Sequence, residues 1–242
     1  MTMAMTDEAG VTTRPKLRRW PRELAFVAGA LGVPLGVGTA VSALTGSRRA
    51  GLIAGGATLA LAGALRWQLL RWFTEQPAYE VERRIGALEI RRYAPRVEAR
   101  TWIGASFEQA LDQGFRRLAG YIFGGNADHQ RVAMTTPVAS READTGAGRF
   151  VMFTMPPGKT LANLPRPDDP NVELREVPAR RVAVLRFRGR YTADQLETHT
   201  RRLRQLVADA GLVATGEPVF AGYDPPMTLP FLRRVEVWQE LA

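Results

Sequence analysis

Hydrophobic positions recur at helical spacing in two stretches of this chain, and short runs of alternating apolar and polar residues bracket both. From Gly104 to Ile122, residues Phe107, Leu111, Phe115, Leu118 and Ile122 fall on one helical stripe. From Thr192 to Ala210 the same holds for Leu196, Leu203, Leu206, Val207 and Ala210. Each stretch opens on a hydroxyl residue with glutamine three places on, Ser106 with Gln109 and Thr192 with Gln195, the pattern of a capping box. The alternating runs predict strands at Tyr79–Arg84, Leu88–Tyr93 and Val97–Ile103 before the first helix, with extended segments at Val132–Val138 and Phe150–Met155 after it. Val172–Val177 and Arg181–Phe187 precede the second helix; Val219–Tyr223 and Arg234–Glu240 follow it. Gly124-Gly125-Asn126 ends the first helix, Asp144–Gly148 reads as a turn, and the Pro-rich stretch from Pro156 to Pro170 joins the halves. This order predicts an α+β fold: a pseudo-twofold, duplicated β-α-β-β unit, with a twisted antiparallel sheet or barrel carrying two long helices. A helix pair on one sheet leaves a groove, and the groove is the first place to look for function.

The pattern changes toward the N-terminus. Leu24 to Ser47 carries no charged residue, enough to cross about 30 Å of hydrocarbon as a helix. Ala50–Leu65 is a second uncharged run, extended by Trp67, Leu69, Leu70, Trp72 and Phe73 around Arg66 and Arg71. A transmembrane helical hairpin is therefore expected ahead of the domain, with helices near 24–46 and 50–72 inside an anchor spanning 20–75. Residues 1–19 are expected to be disordered and 77–242 to form the folded domain, with Gln76-Pro77 as the boundary. Arg14, Lys16, Arg18, Arg19 and Arg22 precede the first run, against only Arg48 and Arg49 in the turn. That asymmetry puts both ends, and the domain, on the cytoplasmic face. A single span is the alternative, as is an export signal cleaved near Ala40-Val41-Ser42-Ala43.

Composition narrows the function classes. With 242 residues and 45% hydrophobic content the chain can bury a full core. It has no cysteine, which removes disulfides, thiolate metal sites and a cysteine nucleophile. The net charge of +9 invites a nucleic-acid reading, but residues 1–76 hold nine Lys/Arg against four Asp/Glu and the rest holds 24 against 20. The excess thus concentrates beside the apolar runs, and the domain shows no nucleic-acid-binding motif. Nor does it show a Gly-rich phosphate loop, a metal-spaced His/Asp cluster or a nucleophile elbow, so a binding protein is expected rather than an enzyme. Glu80, Glu82 and Glu89 lie on charged strand faces and read as solvated.

Several segments together resemble the SOUL haem-binding protein family: YEV and EIRRY at Tyr79–Val81 and Glu89–Tyr93, GFRRLAGYIFGGN at Gly114–Asn126, and VAMTTPV at Val132–Val138. VELREVPARRVAVLRFRG at Val172–Gly189, AGYDPP at Ala221–Pro226 and RRVEV at Arg233–Val237 continue the match. The resemblance spans residues 77–242 and implies the fold derived above, with haem or another tetrapyrrole held reversibly in a hydrophobic cleft beside the first helix. A flat apolar slot for the tetrapyrrole can be supplied by Leu111, Phe115, Leu118, Ala119 and Ile122 on the helix and by Pro225, Pro226 and Met227 on the Asp224–Leu229 loop, with Arg116 and Arg117 flanking the stripe. Basic side chains linked to haem binding in the family fall here on Asp112, Gly120 and Thr228, which weakens or moves a propionate clamp. His129 and His199 are the two histidines and the candidate iron ligands; Met134, Tyr93, Tyr121 and Tyr223 are further candidates. The expected function is a membrane-tethered haem carrier, buffer or sensor, with the bilayer as second partner. A module for other hydrophobic small molecules, or a tetrapyrrole-modifying enzyme, is the alternative.

Overall fold

The computed structural model describes residues 40–50, 52–58, 63, 74–144 and 146–242. The chain divides into two compact units, Met1–Leu69 and Leu70–Ala242. In the first, residues 40–45, 48–50 and 52–58 are helical. The break between them falls at Gly46, whose φ of 65° suits a residue without a side chain. Ser47 follows, and its hydroxyl accepts the N–H of Ala50 at 3.3 Å, as a helix-starting residue does. This is the position of the expected hairpin turn. The membrane-crossing pair itself is not seen, because no helix among the described residues is long and apolar enough to cross a membrane. The expected disordered segment 1–19 and most of both spans (24–39, 59–62 and 64–72) lie outside the described residues.

The described residues of the second unit form β1 (Tyr79–Ile85), β2 (Leu88–Tyr93), β3 (Arg96–Ile103), α1 (Phe107–Ile122), β4 (Val138–Glu142), β5 (Arg149–Thr154), β6 (Glu173–Val177), β7 (Arg180–Phe187), α2 (Ala193–Asp209), β8 (Ala214–Gly222) and β9 (Val235–Leu241). Of the expected extended run Val132–Val138, only Val138 enters a named strand; Thr135 instead bridges Glu75. The strands make one antiparallel sheet in the order β1-β2-β7-β9-β8-β4-β5-β3-β6. Outward from the β8–β4 seam, β9, β7 and β2 on one side mirror β5, β3 and β6 on the other. The duplicated unit is thus β3-α1-β4-β5 and β7-α2-β8-β9. The halves also exchange a strand: β2 pairs with β7, and β6 with β3.

This exchange forces the sheet to curl. β2 and β3 stand six places apart in the strand order, yet only Ala94 and Pro95 join them. Six strand spacings in a flat sheet cover about 29 Å, whereas a two-residue link reaches about 11 Å. The curl closes the gap, and the Arg96 guanidinium lies 5.5 Å from the centre of the Tyr93 ring. One face of the sheet becomes an outer face covered by the helices. The other becomes a concave inner face.

On the outer face α1 packs over β3 and β5, and α2 over β7, β8, β9 and part of β2. Helix α1 buries Phe107, Ala110, Gly114, Leu118, Tyr121 and Ile122. Gly114 is required at its position, since a Cβ there would sit 2.5 Å from the Val151 side chain. Helix α2 buries Leu203 and Val207 against Leu88, Ile90, Ala183 and Leu185. The two capping boxes differ from expectation. Ser106 makes no side-chain cap bond, while Thr192 accepts the Gln195 N–H at 3.4 Å. The exposed N-terminus of α2 is also served from the other half: the Glu108 carboxylate accepts the Ala193 N–H at 2.8 Å.

Candidate functional site

Neither helix lies over β4, and the outer face between them is a shallow trough whose floor is covered: Ser140, Phe220, Gly222 and Val235 are buried and Val138 alone is half-buried. The outer-face residues Phe153, Val138, Gly222 and Val235 form one cross-strand row, and Val151, Ser140, Phe220 and Val237 form the next. On one wall the Phe115 ring stands edge-on to Phe153, with centroids 5.5 Å apart. On the other wall Tyr191 rests over Gly222, where an added Cβ would come 3.0 Å from its ring. Phe153 and Gly222 are two strands apart, so the walls are separated by about 10 Å at their base. The Tyr191 hydroxyl donates to the Asp224 carbonyl at 2.7 Å and accepts the Asp224 N–H at 3.1 Å. The inner end is closed by the edge-to-face series Phe107–Phe220–Tyr191, at 5.0 and 5.2 Å.

Two arginines border this apolar space that sequence patterning did not reveal. Arg149 donates to the Ser140 hydroxyl on the floor at 3.1 Å, and its guanidinium lies 5.2 Å from the Phe107 ring centre. Burial lowers the pKa of this guanidinium, and the charge of Glu142 works in the other direction. Arg233 stacks at 5.1 Å over Tyr191 on the opposite wall. A planar, mostly apolar molecule with anionic arms fits this donor set: aromatic and aliphatic walls, a cation at each side, and glycine keeping the floor low.

The expected contact residues divide into two groups. Leu111, Phe115 and Ala119 share the flank of α1 turned toward α2, with Leu111 packing against the cluster of Phe107, Phe220 and Val235. Phe115 is 41% exposed, unusual for phenylalanine in a packed helix. Leu118 and Ile122 lie beneath the helix in the core with Val97, Val151 and Phe153, on a different face from the trough wall. Pro225, Pro226 and Met227 are exposed on the turn that continues from Asp224. Arg116 pairs with Asp112 on the surface, and Arg117 reaches the opposite flank, to Thr101 and Asp169.

Neither histidine is placed on the trough walls described above. His129 lies in the exposed loop after α1 at φ 50°, with Nδ1 3.4 Å from the Gly124 carbonyl. His199 stacks flat on Phe187, centroids 3.6 Å apart, and burial lowers its pKa. Met134 packs on the core cluster around Val132. The candidate tyrosines have their hydroxyls engaged elsewhere. Tyr121 donates to the Pro165 carbonyl at 3.0 Å, Tyr93 accepts from Arg91 at 3.1 Å, and Tyr223 donates to Glu236 at 2.9 Å. Burial pushes Tyr93 and Tyr121 up to about 12 and Tyr223 well above its ordinary value, so their phenolates are disfavoured. Among the described residues no group of three His, Asp or Glu could hold a metal ion.

The concave face is chemically the reverse of the trough. Arg91 and Glu236, both fully buried, pair through Nη1–Oε2 at 2.9 Å and Nη2–Oε1 at 3.1 Å. Glu236 also accepts from Tyr223 and from Trp238 Nε1, each at 2.9 Å, from Arg186 Nε at 3.1 Å and from Arg234 Nη2 at 2.8 Å. Glu89, expected to be solvated, accepts from Arg91 at 2.7 Å. Burial opposes the Glu236 charge, but Arg91 and Arg234 outweigh it and hold the carboxyl at about 2. This network ties the neighbouring strands β2, β7 and β9, and Tyr223 just after β8, together on the inner face.

A curled antiparallel sheet with two helices about a pseudo-twofold seam defines an α+β domain of duplicated plan. Residues 74–240 match the family described as SOUL heme-binding protein. The chain belongs to that family. It is 29% identical to Heme-binding protein 2 of Homo sapiens over 164 residues, covering 63% of this chain and 77% of that protein. It is 27% identical to Heme-binding protein 1 of Xenopus laevis over 139 residues, covering 56% and 73%. The C-terminal domain of EcmrR shares the fold, with a TM-score of 0.50 at 12% identity over 68% of this chain and 98% of that one.

Proposed function

We propose that this protein binds haem or a related tetrapyrrole reversibly in the trough along β4 and serves as a carrier, buffer or sensor of it at the cytoplasmic face of a membrane. Membership in the SOUL heme-binding family supports the ligand class. The half-exposed Phe115, standing over the Phe153–Val138–Gly222 row opposite Tyr191, is the observation that carries the site. A macrocycle slid between these rings would cover apolar surface on both faces, with Arg149 and Arg233 near its acidic arms. The apolar runs before residue 74 and their basic flank support tethering.

Haem titrated into the full chain is expected to shift the Soret band and saturate near a single equivalent. Phe115→Ala removes one ring face and is expected to weaken binding about tenfold, the equivalent of partly exposing one aromatic side chain, with little loss of stability. An unshifted Soret band at micromolar haem refutes the ligand. Unchanged affinity in Phe115→Ala moves the site elsewhere. Tethering is read independently, by whether alkaline carbonate releases the chain from membranes.

A further inference from the structure

The turn that leaves the trough, Pro225 to Arg233, combines exposed apolar side chains with a backbone that is partly paired within the loop and with arginine side chains. Met227 is 84% exposed, Phe231 63% and Leu229 56%, and Leu232 projects beside them. Single exposed apolar residues need no explanation; four in six residues do. Pro225, Pro226 and Pro230 carry no N–H. The Thr228 N–H donates to the Pro225 carbonyl, Leu232 to Leu229 and Arg233 to Pro230, at 2.9, 2.8 and 3.2 Å. The carbonyls of Thr228 and Pro226 accept from the Arg233 side chain, and that of Phe231 accepts from Arg188 Nη1 at 2.9 Å. Each such bond lowers the cost of bringing the loop to the headgroup boundary, because lipid tails offer no partners.

Charge decides what the loop meets. No acidic residue occurs from 225 to 235, and Asp224 is buried, with Oδ2 accepting the Arg234 N–H at 2.6 Å. Arg188 and Arg233 border the apolar tip, through their bonds to the Phe231, Thr228 and Pro226 carbonyls. Apolar side chains ringed by arginine match a bilayer interface, where tails take the former and anionic phosphates the latter. We propose that the Pro225–Arg233 loop docks on an anionic lipid surface, inserting Leu229 and Phe231 among the headgroups. The mouth of the trough then opens at the membrane, where a hydrophobic ligand is concentrated. The contact itself stands whichever molecule the trough takes.

The absence of cysteine gives a clean test, since a single introduced thiol is the one labelling site. Full-length Phe231→Cys carries an environment-sensitive fluorophore, with Asp209→Cys at the far end of α2 as control. Both are mixed with vesicles of phosphatidylcholine alone, or with about one part in four of phosphatidylserine, that contain a lipid-borne quencher. The expected result is a blue shift and several-fold stronger quenching at 231 than at 209. Both should depend on phosphatidylserine and be reduced by high salt and by Arg188→Gln. Equal quenching at both positions overturns the proposal. So does a 231 signal that follows protein concentration instead of lipid, which marks contact with a second copy. Haem titration of the same labelled chains is read in the Soret band, so failure of the ligand and failure of the lipid contact are seen separately.

Discussion

Replacing Arg91 with methionine removes the centre of the inner-face network while keeping side-chain length. Arg91 and Glu236 have no exposed side-chain surface, and each makes at least four bonds. Breaking a buried pair on one side costs about 3–5 kcal/mol, because the remaining charge stays desolvated. Arg234 and Arg186 still face Glu236, and Glu89 still faces Arg91 when Glu236 is replaced, so about 3 kcal/mol is expected for Arg91→Met or Glu236→Gln alone. The carboxyl gives an independent figure: its pKa falls from 4.5 to about 2, which corresponds to about 3 kcal/mol of stability at neutral pH. The folded-state value lies below the unfolded one. This stability is therefore whole above pH 4.5 and is lost as pH falls toward 2. Urea unfolding of the full chain, followed by near-ultraviolet circular dichroism, measures both. The double variant should cost at least about 2 kcal/mol less than the two single costs together. Single-variant losses under about 1 kcal/mol, or strict additivity, would refute the idea that this pair holds β2, β7 and β9 together.

Two other outcomes follow from packing and burial. Gly114→Ala, which in a free helix stabilises by about 0.5–1 kcal/mol, should instead destabilise by about 1–3 kcal/mol because the new methyl meets Val151; thermal melting checks the sign. Burial against Phe187 lowers the pKa of His199 below 6.5, so the unfolded chain takes up a proton first. The contribution is whole above pH 6.5 and declines as pH falls below it. His199→Leu should flatten the stability profile in that range, and an unchanged profile refutes the assignment.

Local periodicity carried most of the elements. The spacing of Phe107, Leu111, Phe115 and Leu118 marks a helix because burial on one side selects every third or fourth position, and the alternation in Leu88–Tyr93 marks a strand for the same reason. Both survive folding almost to the residue. The stripe also pointed to the helix that lines the trough, but it could not separate Phe115 and Ala119 on the flank from Leu118 and Ile122 beneath. That depends on which side of the helix faces the partner helix.

What the chain decided alone, then, was its helices, most strands, the duplicated plan and the apolar N-terminal runs, each written in neighbouring residues. The strand exchange, the curl, the uncovered β4 and the arginines beside the trough arise only in three dimensions. Arg91 and Glu236 are 145 residues apart, and each sits in an alternating strand where a charged residue reads as solvated. They become a buried pair because β2 and β9 lie on either side of β7 with both side chains on the inner face, and no pattern within one strand records which strands will be its neighbours.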